Sequence, residues 1–199
     1  LGAYEHISEG DPGKTTGPRL FWVAQAMPEC YTQIIKMLEE FKPGTYDLSS
    51  LKAICYGGAP IYVDQLKKAV EVFGPVFNQI YGQGEAPITI TGLNAASHQA
   101  MLESGDPRIG SAGQVRTDGE AHCVDENDTP LSPGKAGEVV ARGDVVMPGY
   151  WNNPEASTET LRGGWLHTGD IGYFDEQGYL FLLDRAKHMV ISGGNNTYS

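Results

Sequence analysis

Two patterns of apolar and polar positions divide the chain. In the first half, apolar residues come in short runs or at helical intervals. Ile34, Ile35, Leu38 and Phe41 recur at helical spacing after Pro28, a residue suited to a first helical turn. The apolar run 52–56 ends in Gly57-Gly58 and reads as a buried strand. Val63–Phe73 is amphipathic, is stopped by Gly74-Pro75, and reads as a helix. Residues 76–80 read as a second strand. Strand, helix and strand at this spacing predict a βαβ unit, with parallel pairing and a right-handed crossover. Residues 88–91 read as one more strand and 95–103 as a short helix.

The pattern changes near 104–113. From there Gly, Pro, Asp and Asn recur every few residues between short alternating runs at 121–124, 138–141, 172–174 and 179–183. Short strands with frequent turns predict an antiparallel barrel or sandwich. Asn153-Pro154-Glu155 is expected to start one isolated helix running to about Leu161. The predicted class is α/β: a parallel βαβ sheet portion followed by a small antiparallel β-barrel-like subdomain. The expected segments are a loose polar arm at 1–20, an α/β subdomain at 21–104, a barrel-like subdomain at 105–185 and a linker at 186–199.

Composition narrows the partners. At 199 residues, with 40% apolar and 20% charged residues, the chain can bury a real core. A net charge of −11 argues against nucleic acid or an anionic membrane as the main partner, because both need a basic face. It leaves room for a nucleotide, since a few backbone N–H groups and one cation bind phosphate locally. Cys30, Cys55 and Cys123 are odd in number and widely spaced, with no zinc-like pattern. A reduced, cytoplasmic protein is expected. No stretch reaches transmembrane length and no signal peptide opens the chain. The chain begins with Leu1, so a fragment or a processed product is expected.

Candidate chemistry lies at the ends of the predicted parallel strands, where doubly wound sheets place their ligands. In YGGAP (56–60), Gly57 and Gly58 leave the backbone open to a flat ligand. In YGQGEAP (81–87), Tyr81 offers an aromatic face to a base, and Glu85 offers the hard oxygen that Mg²⁺ prefers. Further on, LHTGD (166–170) ends in Asp170, whose two acceptor oxygens suit a cis-diol. His167 reads as a hydrogen-bonded structural group, and no GxSxG elbow surrounds Ser111. GDPGKTTG (10–17) departs from the Walker spacing, because Ser8 stands where its first Gly belongs.

These motifs, in this order, resemble the adenylate-forming superfamily of acyl-CoA synthetases, luciferases and peptide-synthetase adenylation domains. The ending DRAKHMVISGGNNTYS (184–199) is most similar to acyl-CoA synthetases. YGQGEAP resembles the family's Tyr-Gly-x-Thr-Glu loop. The resemblance implies that Tyr81 lies against adenine, that Gly82 and Gly84 line the phosphates, and that Glu85 holds Mg²⁺. Gly84 stands where the family has Thr, so that hydroxyl is absent. Gly57, Gly58, Ala59 and Pro60 would line the space between the adenine and acyl pockets. Asp170 would accept the ribose hydroxyls, Arg185 would reach ribose or phosphate, and Lys187 would fall at a hinge. Gly193 and Gly194 would lie along the channel for the CoA arm. GEVVARGDVVMPGYWNNPEAS (137–157) resembles a segment in which Gly137, Gly143 and Gly149 make barrel turns. TTGPRL echoes the family's phosphate loop but stands too near YGGAP, and is expected to be a chance match.

The implied reaction joins a carboxylic acid to CoA at the expense of ATP, with Mg²⁺ and with AMP as a product. Glu85 and Arg185 are the residues assigned to catalysis. The first half of the family's large domain and its C-terminal lid have no counterpart here, so the chain alone is expected to be inactive. Two other classes remain open: a non-catalytic nucleotide-binding or interaction module, and part of a peptide-synthetase adenylation domain.

Overall fold

A computed structural model describes residues 19–23, 50–58, 62–185, 189–192 and 195–198. Residues 1–18 of the expected arm, the helix after Pro28, Ala59, Pro60, Lys187, Gly193 and Gly194 lie outside the described residues, while Arg19 and Leu20, expected at the end of that arm, are strand. Contacts divide the chain into two compact units, residues 1–78 and 79–199.

In the first unit, β1 (Arg19–Val23) pairs in parallel with β2 (Leu51–Gly57). Helix α1 (Val63–Phe73) follows. Its apolar residues recur at intervals of three and four, so Leu66, Ala69 and Phe73 fall on one buried face. Gly74, at φ +80°, ends the helix, and its N–H donates to the Val70 carbonyl at 2.8 Å. Strand β3 (Phe77–Gln83) starts in this unit, where the Ile54 amide donates to the Val76 carbonyl at 2.7 Å. Phe77 packs edge-on against Phe73 and Tyr56, with ring centroids 6.1 and 6.4 Å apart. Rings of this size, removed from water, each stabilise the fold by about 1.5–3 kcal/mol.

In the second unit, β3 turns directly into β4 (Ala86–Leu93), and the two pair antiparallel, as β4 does with the short β5 (Gln114–Val115). Parallel pairing in the first unit is thus followed by an antiparallel hairpin. YGQGEAP is consequently strand through Gln83, with only Gly84-Glu85 left as the turn. Helix α2 (Ala95–Ser104) is capped by the Asn94 side chain, which accepts from the Ser97 N–H at 2.8 Å.

An antiparallel sheet follows, in the order β6 (Gly119–Val124), β7 (Gly137–Gly143), β8 (Leu166–Phe174), β9 (Leu180–Arg185). Helix α3 (Pro154–Thr160) sits in the β7–β8 connection, and a small hairpin of β10 (Met189–Ser192) and β11 (Asn195–Tyr198) follows β9. Gly137 and Gly143 were expected in turns. They are the end residues of β7, and a side chain at Gly137 would meet the Val124 carbonyl oxygen at 2.2 Å.

The core of this unit joins the β3–β4 hairpin to the sheet. Tyr81, Ala86 and Ile90 pack with Cys123, Val139, Ala141, Leu166 and Leu180. Backbone bonds secure the junction: Ala112 N–H to Leu180 O at 2.7 Å, and Leu180 N–H to Gly113 O at 2.9 Å. The buried Thr91 hydroxyl donates to Ala112 O at 2.7 Å. Burial pushes the Cys123 thiol up to about 11.

His98 on α2 is 1% exposed, and its Nδ1 lies 2.9 Å from the Asn94 carbonyl oxygen. Burial penalises the imidazolium, so its pKa falls below the ordinary 6.5. The unfolded chain therefore binds a proton that the folded chain resists, and stability falls as pH drops below about 6.5. Half-buried His122, also shifted down, adds to the same slope. The urea midpoint should be lower at pH 5.5 than at pH 7.5, and His98→Gln should flatten that dependence. An unchanged slope in the variant would show that His98 does not set it.

Candidate active site

The strand pairing around β8 is broken at one place, and that place holds Asp170. Glu138 on β7 faces Ile171, while Val140 faces His167. Thr168, Gly169 and Asp170 therefore stand opposite Val139 alone, as a bulge. Gly169 makes it possible, at φ +69°, a left-handed conformation that side-chain-bearing residues resist. The Thr168 hydroxyl donates to the Val139 carbonyl at 2.7 Å and accepts from the Asp170 N–H at 3.1 Å.

The Glu138 carboxylate fills the other side of the bulge. Its Oε1 accepts from the Gly169 N–H at 3.0 Å, and its Oε2 lies 2.9 Å from His167 Nδ1. Arg162 donates to the same Oε2 at 3.2 Å and reaches Asp128 at 3.1 Å. The Arg162 hydrogen bond holds the Asp128 carboxyl below its usual range. His167 is thus tied to a carboxylate, as a structural histidine should be.

The bulge brings Asp170 to Tyr81. The Tyr81 hydroxyl donates to Asp170 Oδ2 at 2.8 Å, across 89 residues of sequence. Tyr81 is 7% exposed and its ring belongs to the core. The sequence suggested a ring face open to a base. The structure seats that ring among apolar side chains and turns its hydroxyl towards the carboxylate.

Glu85 stands on the turn that follows Tyr81. Its carbonyl accepts from the Met147 N–H at 2.8 Å, and its carboxylate accepts from the Tyr150 hydroxyl. That bond pushes the Tyr150 phenol above its ordinary pKa. Gly82 and Gly84 differ in kind. A side-chain carbon at Gly84 would meet nothing within 4 Å, so the space for a threonine is open. At Gly82 it would meet backbone atoms of Ala86 and Ile88 at 2.4–2.8 Å. Gly82 is therefore required by the close approach of β4, whatever else it does.

Arg185 is on β9, opposite Asp170 in the ladder. Gly57 ends β2 in the first unit, and Gly58 follows it in a bend. Three residues that now belong to the site's frame, Glu138, Thr168 and Tyr150, were not singled out from sequence. A signal existed for Glu138, a carboxylate in a strand-like run that otherwise reads as buried.

Among the described residues, no group of three or more His, Cys, Asp or Glu side chains could hold a metal. One carboxylate on a tight turn does fit Mg²⁺, which keeps several waters and takes its other oxygens from substrate phosphates. No described helix is long and apolar enough to cross a membrane.

Known proteins are similar to this chain in sequence and in fold. The chain is 35% identical over 167 residues to a medium/long-chain fatty-acid–CoA ligase of Mycobacterium tuberculosis, covering 84% of this chain and 28% of that protein. It is 39% identical over 162 residues to a 2-succinylbenzoate–CoA ligase of Bacillus mycoides, covering 81% and 32%. Among solved structures, an amide bond synthetase of Marinactinospora thermotolerans superposes with a TM-score of 0.77 at 34% identity, covering 90% of this chain and 34% of that one. An O-succinylbenzoate coenzyme A synthetase of Bacillus subtilis, in complex with AMP, superposes with a TM-score of 0.71 at 30% identity, covering 90% and 33%. The chain thus spans about a third of the length of these relatives. The AMP-binding enzyme family matches residues 21–151, which include the Tyr81–Glu85 hairpin, and by that match and these identities the chain belongs to this family.

Proposed function

We propose that this chain is the nucleotide-contacting part of an ATP-dependent acid–CoA ligase. The observation that carries the reading is the hydrogen bond from Tyr81 to Asp170, which unites two motifs 89 residues apart. In such a reaction a carboxylate attacks the α-phosphate of ATP, pyrophosphate leaves, and the CoA thiol then displaces AMP. The acid is already ionised at neutral pH, so no general base is required.

Each residue then has a task. Asp170 accepts the two ribose hydroxyls, and Tyr81, by holding Oδ2, keeps its carboxylate from rotating away. Glu85 would hold Mg²⁺ through a carboxylate oxygen, and the Gly84 N–H would be available to phosphate. Arg185 and Lys187 bring positive charge to the ribose and phosphate side. Gly82 lets β4 close under the turn, and the family resemblance alone would assign Gly57, Gly58, Ala59 and Pro60 to the base and acyl side and Gly194 to the path of the CoA arm. A bound metal would neutralise charge developing on the transferring phosphoryl group.

The amide bond synthetase likeness favours a second reading, in which the adenylate passes to an amine instead of a thiol. Product analysis of the full-length protein with CoA and with an amine separates the two.

The first test is calorimetric titration of this chain with AMP and Mg²⁺. Asp170→Asn should weaken binding by about tenfold or more, the loss expected when a charged hydrogen-bond acceptor is removed. A folded wild-type chain that takes up no AMP, or a variant that binds as well as wild type, would count against the nucleotide role of Asp170.

A further inference from the structure

We propose that Glu138 is a positioning residue of this site: its carboxylate holds the Thr168–Asp170 bulge open and so fixes where Asp170 meets Tyr81. The inference rests on the reading of Asp170 as a nucleotide ligand. Its geometry stands apart from that reading.

A bulge with three residues opposite one leaves its own N–H groups outside the ladder. Here two of them are answered locally. The Asp170 N–H goes to the Thr168 hydroxyl, and that hydroxyl is anchored on Val139 O. The Gly169 N–H goes to Glu138 Oε1. Among the described residues, Glu138 is the side chain from outside the bulge that accepts from these N–H groups. Its second oxygen is fixed by His167 on β8 and by Arg162 late in the β7–β8 connection. The Glu138 side chain is 22% exposed, and that of His167 only 5%. Such a carboxylate has little freedom to turn, and the turn it imposes on Gly169 sets the direction of the next residue, Asp170.

Glu138 does not touch Asp170 or Tyr81 in any bond described above, so it acts through the backbone. A purely structural residue would lower stability and leave the Asp170–Tyr81 geometry intact in the molecules that stay folded. A positioning residue would move that geometry at constant fold.

The phenol carbon of Tyr81, in chain labelled with ¹³Cζ-tyrosine and assigned by Tyr81→Phe, reads the bond directly. In Glu138→Ala the Tyr81 signal should move most of the way to its position in Asp170→Ala, while the other tyrosine signals hold. AMP affinity of the folded Glu138→Ala chain should fall about tenfold, equivalent to one misplaced hydrogen bond. A Tyr81 signal at its wild-type position, or unchanged AMP affinity, would overturn the proposal and leave Glu138 a stabiliser only. Should Glu138→Ala fail to fold, Glu138→Gln takes its place. It keeps the shape and one acceptor but sets an amide against His167 and Arg162, and its Tyr81 signal should move part of the way. An unmoved signal there overturns the proposal equally. If the wild-type chain binds no AMP while the Tyr81 signal still moves in Glu138→Ala, the positioning of Asp170 stands and the nucleotide reading falls.

Discussion

Gly82→Ala should cost the second unit about 3 kcal/mol or more, at the top of the range for overpacking. The added methyl would stand 2.4 Å from the Ala86 carbonyl oxygen and 2.5 Å from the Ile88 nitrogen. Both are backbone atoms, so no side-chain rotamer can relieve the clash. Strand β4 already bends to pass here. Tyr81 faces Thr91 and Gln83 faces Ala86, so Gly82 alone is opposed by the four residues 87–90. Ile88 sits at φ +53° within that bend, a conformation a β-branched residue resists. The strand thus spends strain to come close to Gly82 and has little left with which to retreat. Domains are stable by about 5–15 kcal/mol in total, so a large share of the stability would go. Urea unfolding, followed by tyrosine fluorescence, measures it. A midpoint shift worth under about 1 kcal/mol would mean that β4 moves aside freely.

Leu166→Ala should cost about 2–5 kcal/mol, and Leu166→Met less than about 1.5 kcal/mol. Leu166 is fully buried, opens β8, and belongs to the same apolar cluster as Tyr81. Alanine leaves a cavity whose lining loses its dispersion contacts, whereas methionine refills most of the volume. The pair of variants separates packing from any special need for leucine. Equal losses in the two would show that volume is not what Leu166 contributes. Because Leu166 precedes His167, the alanine variant should also loosen the bulge, and AMP binding should weaken with stability.

Much of the architecture was legible in the sequence where neighbouring signals agree. Helix α1 lies where its period and Gly74 place it, because amphipathic spacing and a glycine stop agree. The strands were found too, though short. Residues 76–80 proved to be the start of a strand reaching Gln83, and 172–174 the end of one beginning at Leu166. Both errors have one cause. Glycine inside a strand looks like a loop in sequence, yet Gly82 serves close packing and Gly169 serves a bulge. The Tyr81, Glu85 and Asp170 motifs were visible as residue types. The partners that aim them, Glu138, Thr168 and Tyr150, were not, because their roles depend on a ladder shift and on contacts across dozens of residues. Arg185 was placed in a strand opposite Asp170 only by the pairing itself.

The 89 residues between Tyr81 and Asp170 also set when the site comes into being during folding. The β3–β4 hairpin and the β6–β9 meander are local structures, each formed from neighbours in sequence, and such contacts form early. The bond between the phenol and the carboxylate needs both, docked in register. It closes a long loop whose entropy must be met before any contact returns it. A partly folded chain can therefore own every strand and every motif and still lack the junction of Tyr81 with Asp170. A nucleotide that binds there, as proposed, would stabilise only the final, docked state, and would shift the folding equilibrium towards it by mass action.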